Sequence, residues 1–579
     1  MNCKFIFLIS ILGIVFYGCS SPTTISRGPK SLDTIEHQDL TGDLVKKSQI
    51  LSPHMTQIVS KKIQQDLGQQ CPGEPIASSC GNGICNTEKE NHLNCPIDCT
   101  PNLIKTYNRT QVCYKTRRVY HPRNIEEVKQ VIQTVSDNRG NIRIIGAKHS
   151  ANSLLCNNDV AISSKYFNRI WGIENFKGKE VVKVDGGVTI GKLTDWLHKK
   201  DRSLEFAIPS IRWVTVAGAI GTASHGGSVH HPTIISSKIV SLGLINSSGE
   251  FKEYSSDNTS PDEWKALRAN LGMLGYVAWV KLEIAPQFNL KTTFSFRGDN
   301  ILFKGKDPSG VAAHCDYSHI YWWPIVGQIA NLCGKKSSKR ADYGARITTE
   351  EDFAPPLLID FAREIVHRSA CYPDLTCFDE LVGILNFKFT PPMVKGNWGF
   401  MRRSNTVTGP SHKMISSDFG QANLNFPLIT WEITIPQSES KRALEFIKKS
   451  FQRRKCNPLI LMLVRFAPVE DTTLISPLAP GGKFQIGEKA MVVEMVRYFP
   501  RGFFGANMEK YDRFMANLMK QLIVRFQGRT HWGKSKDWVF SYQKEKRTFG
   551  NRLNRFRKIA NKFDPQGLFS NDFLKGAGL

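Results

Sequence analysis

The chain has 579 residues, 41% hydrophobic and 10% aromatic, which excludes a disordered polypeptide and gives length enough for two or three domains. Its 77 Lys and Arg against 51 Asp and Glu leave a formal charge of +26, a balance that favours polyanionic partners. The basic residues are spread along the chain, with no zinc finger, RNA-binding aromatic signature or basic region with heptads, so nucleic acid is not an expected partner.

Lys4 precedes FIFLISILGIVFYG, an apolar run too short to span a bilayer comfortably. The run ends at YGCSS, the pattern of a bacterial lipoprotein leader (residues 1–19) in which Cys19 carries the lipid and begins the mature chain. Phe16-Tyr17 fit that pattern imperfectly, and an ordinary cleaved secretory leader is the alternative. Both readings take the chain out of the cytoplasm, the first leaving it anchored to a membrane by lipid. Cysteine usage agrees with export. Of 14 Cys, Cys3 leaves with the leader and Cys19 is lipidated, and the twelve that remain suit disulfides in an oxidising compartment.

Residues 20–70 are polar and read as a tether. Residues 71–100 hold five Cys and little apolar content, so this module must be stapled rather than packed. Five is odd, and Cys113 is the nearest outside partner. Zinc is a poor alternative without paired C-x-x-C knuckles, and calcium a weak one.

Next comes HPRNIEEVKQVIQTVSDNRGNIRIIG. Asn124 with Glu127 three residues on predicts a capped helix start, and Ile125, Val128, Ile132 and Val135 recur at helical spacing. Gly140 closes that helix, and a strand over 142–145 leads into the small-residue turn GAKHS. EVVKVDGG reads as strand and turn, TIGKLTDWLHKK as a helix, then IPSIRWVTVAGAIGTASHGGSV as a second loop dense in Gly, Ala, Ser and Thr. SKIVSLGLINSSGE, PDEWKALRANLG and YVAWVKLEI follow as strand, helix and strand. The second half supplies aromatic strands (YSHIYWWPI, PLITWEITI, LMLVRFAP, MVVEMVRYF) and a final helix burying Leu553, Phe556, Ile559, Ala560 and Phe563. The alternation predicts an α+β nucleotide-cofactor domain. Neither G-x-G-x-x-G nor a P-loop is present, so a Rossmann or P-loop site is not expected.

In order, YNRTQVCYKTRRVYHPRNIEEVKQVI, GAKHS, SIRWVTVAGAIGTASHG, LGMLGYVAWVKLEIAP, HWGK and FDPQGLFSN resemble the vanillyl-alcohol-oxidase superfamily of flavoproteins, closest to its aldonolactone oxidase branch. The resemblance runs from about residue 105 to the C-terminus. It implies a PCMH-type FAD-binding domain (101–288) followed by a mixed α/β substrate or cap domain (289–579), behind the Cys-rich module. The first loop, Gly146, Ala147, Lys148, His149 and Ser150, is then expected to wrap the FAD pyrophosphate, with His149 as the site of covalent attachment. The second would bring Pro209, Thr215, Gly218, Thr222, Ala223, Ser224 and His225 to the cofactor, and Val277 a further contact. Pro209 leans towards O2 as acceptor, and Ser210 would touch substrate.

The resemblance also implies chemistry: hydride removal from a carbinol carbon of a sugar or lactone, giving hydrogen peroxide. HWGK makes Lys534 the expected cation beside the flavin, with His531 next to it. The E-x-R motif of the family keeps its arginine as Arg465 but has Leu463 where glutamate belongs. Glu494 is the candidate to compensate from a neighbouring strand, and otherwise a different substrate or weak activity is expected. A buried Leu beside an unpaired Arg would instead suit an acidic substrate. Two further readings stay open, an alditol or sugar-acid oxidase or dehydrogenase with another acceptor, and a flavin-fold surface protein without catalysis that binds glycans or partners.

Overall fold

The computed structural model describes residues 104–107, 111–113, 115–157, 159–206, 211–342, 405–414, 428–453, 459, 461–498, 507–545 and 547–579. The leader, the tether, the Cys-rich module, Pro209 and Ser210 lie outside them.

A short hairpin of β1 (Ile104–Lys105) and β2 (Val112–Cys113) opens the described chain. β3 (Arg118–Tyr120), α1 (Ile125–Asp137), β4 (Ile142–Ile145) and β5 (Val160–Ser163) then form a small parallel sheet in the order β3-β5-β4. The expected cap is present: Asn124 Oδ1 accepts the Glu127 N–H at 2.9 Å, while Glu127 reaches back to the Arg123 N–H at 2.8 Å. Val128 and Ile132 are fully buried, each such burial contributing about 1.5–3 kcal/mol. At the other end of α1 the left-handed residue is Arg139 (φ 52°), not Gly140. Gly140 is needed for a different reason, because a Cβ there would meet Val135 Cγ1 at 2.9 Å.

β6 (Ile170–Phe176), β7 (Lys179–Asp185), α2 (Ile190–His198), β8 (Arg202–Ser203), α3 (Val216–Gly221), β9 (Ile239–Ile245), β10 (Phe251–Ser255), α4 (Pro261–Leu267) and β11 (Tyr276–Glu283) complete the first lobe. Its main sheet is antiparallel, ordered β10-β9-β11-β7-β6. β12 (Ala285–Pro286) pairs with β8 and leads out of it.

The second lobe is one antiparallel sheet of eight strands. They are β13 (Asn289–Gly298), β14 (Tyr317–Trp323), β15 (Gln328–Ser337), β16 (Asn405–Pro410), β17 (Leu428–Ile435), β18 (Leu461–Pro468), β19 (Lys489–Tyr498) and β20 (Arg529–Thr530). Their spatial order is β16-β13-β15-β14-β18-β19-β17-β20. α5 (Ser411–Met414) follows β16, and α6 (Ser440–Gln452) and α7 (Asn507–Phe526) belong to the same lobe. Trp322, Trp431, Ile447, Met495 and Leu522 share its core. This lobe ends with α8 (Val539–Glu545), and α9 (Arg552–Phe563) and α10 (Asp572–Ala577) return to the first lobe. There Leu553, Phe556, Ile559, Ala560 and Phe563 pack in one core with Val182, Leu193 and Leu244, as the helical spacing predicted.

Cys113 does not pair with the Cys-rich module. It forms a disulfide with Cys156, and Cys315 bonds Cys333. Counting cysteines could not find the first bridge, because its partner is set by the packing of the hairpin on the segment after β4. None of the described helices is long and apolar enough to cross a membrane.

Candidate active site

Two small-residue loops, three neighbouring strands and the loop carrying Lys534 build a cleft between the lobes. The first loop leaves the buried strand β4 at Gly146, where a Cβ would stand 2.2 Å from Thr215 Oγ1. Glycine is therefore required for the close approach of this loop to the start of α3. Lys148 takes the left-handed region (φ 59°), which turns the chain so that His149 follows into the cleft. The second loop is held as tightly: Thr215 caps α3 by accepting the Gly218 N–H at 3.3 Å, and Ala223 is left-handed (φ 53°).

Gly146, Ala147, Lys148, His149, Ser150, Thr215, Gly218, Thr222, Ser224, His225, Val277, Arg465, Glu494, His531 and Lys534 all line this one cleft. Ala223 is wholly buried behind it and serves the turn. Sequence positions hundreds of residues apart thus converge as expected. Two expected contacts, Pro209 and Ser210, lie outside the described residues.

The floor of the cleft is a buried charge cluster on the second sheet. Glu432 on β17 is fully buried. Its Oε1 lies 3.0 Å from His225 Nε2, and its Oε2 lies 2.9 Å from Lys534 Nζ and bonds Arg465 Nη2. Arg465 Nη2 also donates to Glu494 Oε2 at 2.9 Å, and Lys534 Nζ lies 2.7 Å from Glu494 Oε1. Two carboxylates and two cations therefore close into a ring with no net charge. Burial pushes Glu432 up, but Lys534, His225 and Arg465 outweigh it and hold the carboxyl well below its ordinary range.

This ring corrects one expectation. Arg465 is not unpaired, so the argument for an acidic substrate loses its premise. It also explains Leu463. β18 and β19 pair Leu463 directly with Glu494, and β17 and β19 pair Glu432 with Glu494, so these three side chains share one row across the sheet. The acceptor that a glutamate at 463 would offer is supplied one strand away.

His531 is buried, and burial drives its imidazole down to about 3, so it is neutral. Its Nδ1 accepts the Gly533 N–H at 3.0 Å, which places the ring proton on Nε2. His225, Glu432 and His531 are close enough to share a metal ion. Glu432 is already neutralised by Arg465 and Lys534, so no net negative charge is left to hold a cation.

The loop carrying Lys534 is fixed from three sides. Trp532 stacks between Phe540 and Phe549 and donates to Ile475 O at 2.6 Å. Ala151 N–H donates to Gly533 O at 2.8 Å, and the Asn152 amide donates to Trp532 O at 2.8 Å. The segment after the first loop and the loop carrying Lys534 are thus joined by hydrogen bonds.

Sequence reasoning missed Glu432 and Arg143. Arg143 is a buried strand residue whose guanidinium donates to Phe569 O at 2.6 Å and Leu271 O at 2.7 Å, tying the wall of the cleft to the C-terminal segment. A charged residue at an inward strand position was the available signal in both.

The small-residue lining suits a closely held cofactor. The two close-packed small-residue loops face each other, and His149 Nδ1 is buried with no hydrogen-bond partner among the described residues. Burial also pushes that imidazole down to about 4, leaving it neutral with a free nitrogen.

Comparison with known proteins agrees. The family model for the FAD binding domain matches residues 116–255, and that for D-arabinono-1,4-lactone oxidase matches residues 280–577. The L-gulonolactone oxidase of Mus musculus is 24% identical over 482 residues, covering 82% of this chain and 97% of that one. The D-arabinono-1,4-lactone oxidase of Saccharomyces cerevisiae is 25% identical over 226 residues, 39% of this chain and 42% of that one. Among solved structures, cholesterol oxidase from B. sterolicum superposes with a TM-score of 0.65 at 14% identity, covering 82% of this chain and 96% of that one.

Proposed function

The chain belongs to the D-arabinono-1,4-lactone oxidase family, and from that premise we propose that it is an FAD-dependent oxidoreductase oxidising a CH–OH group of an aldono-1,4-lactone, with O2 as acceptor and hydrogen peroxide as product. The observation that carries this reading is the closed ring of Glu432, Arg465, Glu494 and Lys534 at the floor of the cleft that both loops line.

When bound, FAD supplies the two-electron acceptor. Gly146 to Ser150, Thr215 to Ser224 and Val277 are the residues that would hold it, and His149, with its free buried nitrogen, is the one that would carry a covalent link. The remaining work falls to the ring. Glu494, at the more open edge of the ring, accepts hydrogen bonds from substrate hydroxyls, while buried Glu432 and Arg465 hold it and Lys534 in place. Lys534 places a positive charge where negative charge develops in the cleft. His531 contributes a neutral Nε2–H donor. A ring without net charge fits a neutral lactone better than a sugar acid, whose carboxylate would find both cations already paired.

Export is part of the proposal. The leader ending at Cys19 supports a lipid-anchored protein at the periplasmic or outer face of a membrane, and the bridges Cys113–Cys156 and Cys315–Cys333 accord with an oxidising compartment.

The test is made on residues 20–579. The visible spectrum is recorded before and after acid precipitation, then during anaerobic addition of aldonolactones, alditols and sugar acids. Bleaching by a lactone, with peroxide formed when air is admitted, is the expected result. Bleaching by an alditol or sugar acid alone, or a colourless protein that no FAD restores, would overturn it.

A further inference from the structure

The β1–β2 hairpin precedes the first loop in sequence, and Tyr107 opens the first motif of the resemblance without a residue role of its own, yet the hairpin lies against that loop. Tyr107 N–H donates to Lys148 O at 3.0 Å, one residue before His149. The Tyr107 and His149 rings then pack with centroids 4.3 Å apart and planes 30° from parallel. Tyr107 is itself held by its neighbours, since Thr106 N–H donates to Gln111 O at 3.0 Å and Gln111 N–H to Thr106 Oγ1 at 3.1 Å. The far strand of the hairpin is bolted down by Cys113–Cys156, just beyond the 3-10 turn Ser153–Leu155 that follows the loop. Ile104, Cys113, Ile145, Leu155 and Ala161 bury a small core beneath it.

Among the described residues nothing hydrogen-bonds the imidazole Nδ1 to fix its plane. Rotation about its last side-chain torsion is broad and soft unless packing restricts it. Tyr107 is the ring the structure places against that imidazole face.

We propose that Tyr107 is a positioning residue for His149: its ring, held by the disulfide-anchored hairpin, sets the plane of the imidazole in which a nitrogen can meet the flavin. The inference rests on the proposed flavin link at His149 and names what orients the ring for that step. In it the imidazole nitrogen would replace one hydrogen of the flavin 8α-methyl, its proton leaving to solvent and the two electrons passing through the flavin to O2. The flat ring, rather than the hydroxyl, supplies the positioning.

The experiment compares the wild-type chain with Tyr107→Phe, Tyr107→Leu and His149→Ala, all isolated without flavin and then given FAD. Two quantities are read: the rate at which acid-stable flavin appears, and the dissociation constant for FAD from quenching of flavin fluorescence. His149→Ala decides the link, because acid-stable flavin should form in the wild type and not in this variant. Tyr107→Phe should attach flavin within twofold of wild type, and Tyr107→Leu at least tenfold more slowly while melting within a few degrees of it. Equal attachment rates in Tyr107→Leu and wild type would overturn the positioning role while leaving the link intact. Should the wild type form no acid-stable flavin, the link fails, and the dissociation constants decide for Tyr107. A tenfold weaker FAD affinity in Tyr107→Leu sustains its positioning of His149 against bound flavin, and an unchanged one ends it.

Discussion

Leu463 and Glu494 are direct partners across β18 and β19, so the carboxylate that the family pattern places on the arginine strand stands here on its neighbour. Glu494 completes the contacts of Arg465 and Lys534 from there. A glutamate added at 463 would put a third carboxylate in the same row, beside two already satisfied by two cations.

Glu494→Gln is therefore expected to lower kcat/KM for the bleaching lactone by tenfold or more. Leu463→Glu alone should lower it too, through repulsion within the row, and the double change Leu463→Glu with Glu494→Leu should recover part of the loss. A gain in activity from Leu463→Glu alone, measured by steady-state peroxide release, would show that the relocation is not functional.

Removing the lysine tests the electrostatic role. Lys534→Met should cut kcat by about 10²–10³, the usual cost of one preorganised charge partner, with a smaller change in KM. Anaerobic stopped-flow bleaching separates the two, and an unchanged bleaching rate would remove Lys534 from the chemistry.

Glu432 is the hub of the ring, and its loss should be felt in stability as well as rate. Glu432→Leu leaves Arg465 and Lys534 with only Glu494 between them, and breaking a buried pair from one side costs about 3–5 kcal/mol. A drop in denaturant midpoint of that size at constant slope is expected. A variant as stable as wild type would mean that the ring is solvated rather than buried.

The histidines set a pH window. Burial holds His319 and His531 down at about 3, with Arg465 adding to the effect on both. The unfolded chain binds those protons near pH 6.5 and the folded chain does not, so stability is full above that value and falls as pH drops towards 3. Each histidine contributes about 1.4 kcal/mol per pH unit in that window. Chemical denaturation at pH 7.5, 6.5 and 5.5 should show the fall beginning below 6.5, before most carboxylates titrate, and His319→Gln should flatten it if that variant folds. A profile flat to pH 5 would show that these rings are protonated in the folded chain.

Much of this was legible in the sequence because it is local. Small-residue turns, the α1 cap and the alternation of β14, β17, β18 and β19 depend on neighbours a few residues away. His149, Arg465 and Lys534 stood out through motifs. Glu432 did not, because a glutamate inside PLITWEITI reads as a misplaced charge until His225, Arg465 and Lys534 arrive from 207, 33 and 102 residues away. Tyr107 and the Cys113–Cys156 bridge were hidden for the same reason: their contacts are with a segment some forty residues further along the chain. Glu494 was legible as a candidate, but its register against Leu463 was not.

The hydrogen bonds joining residues 151–153 to residues 532–537, and Asn571 to the carbonyls of Ser153, Leu154 and Cys156, have a consequence in time. A growing chain makes the histidine loop first and must wait almost four hundred residues for the lysine loop that braces it. Such distant pairing is slow to form. Until the last helices dock, the lysine loop lacks its braces on the segment after the histidine loop, so the charge ring takes its final geometry late in folding.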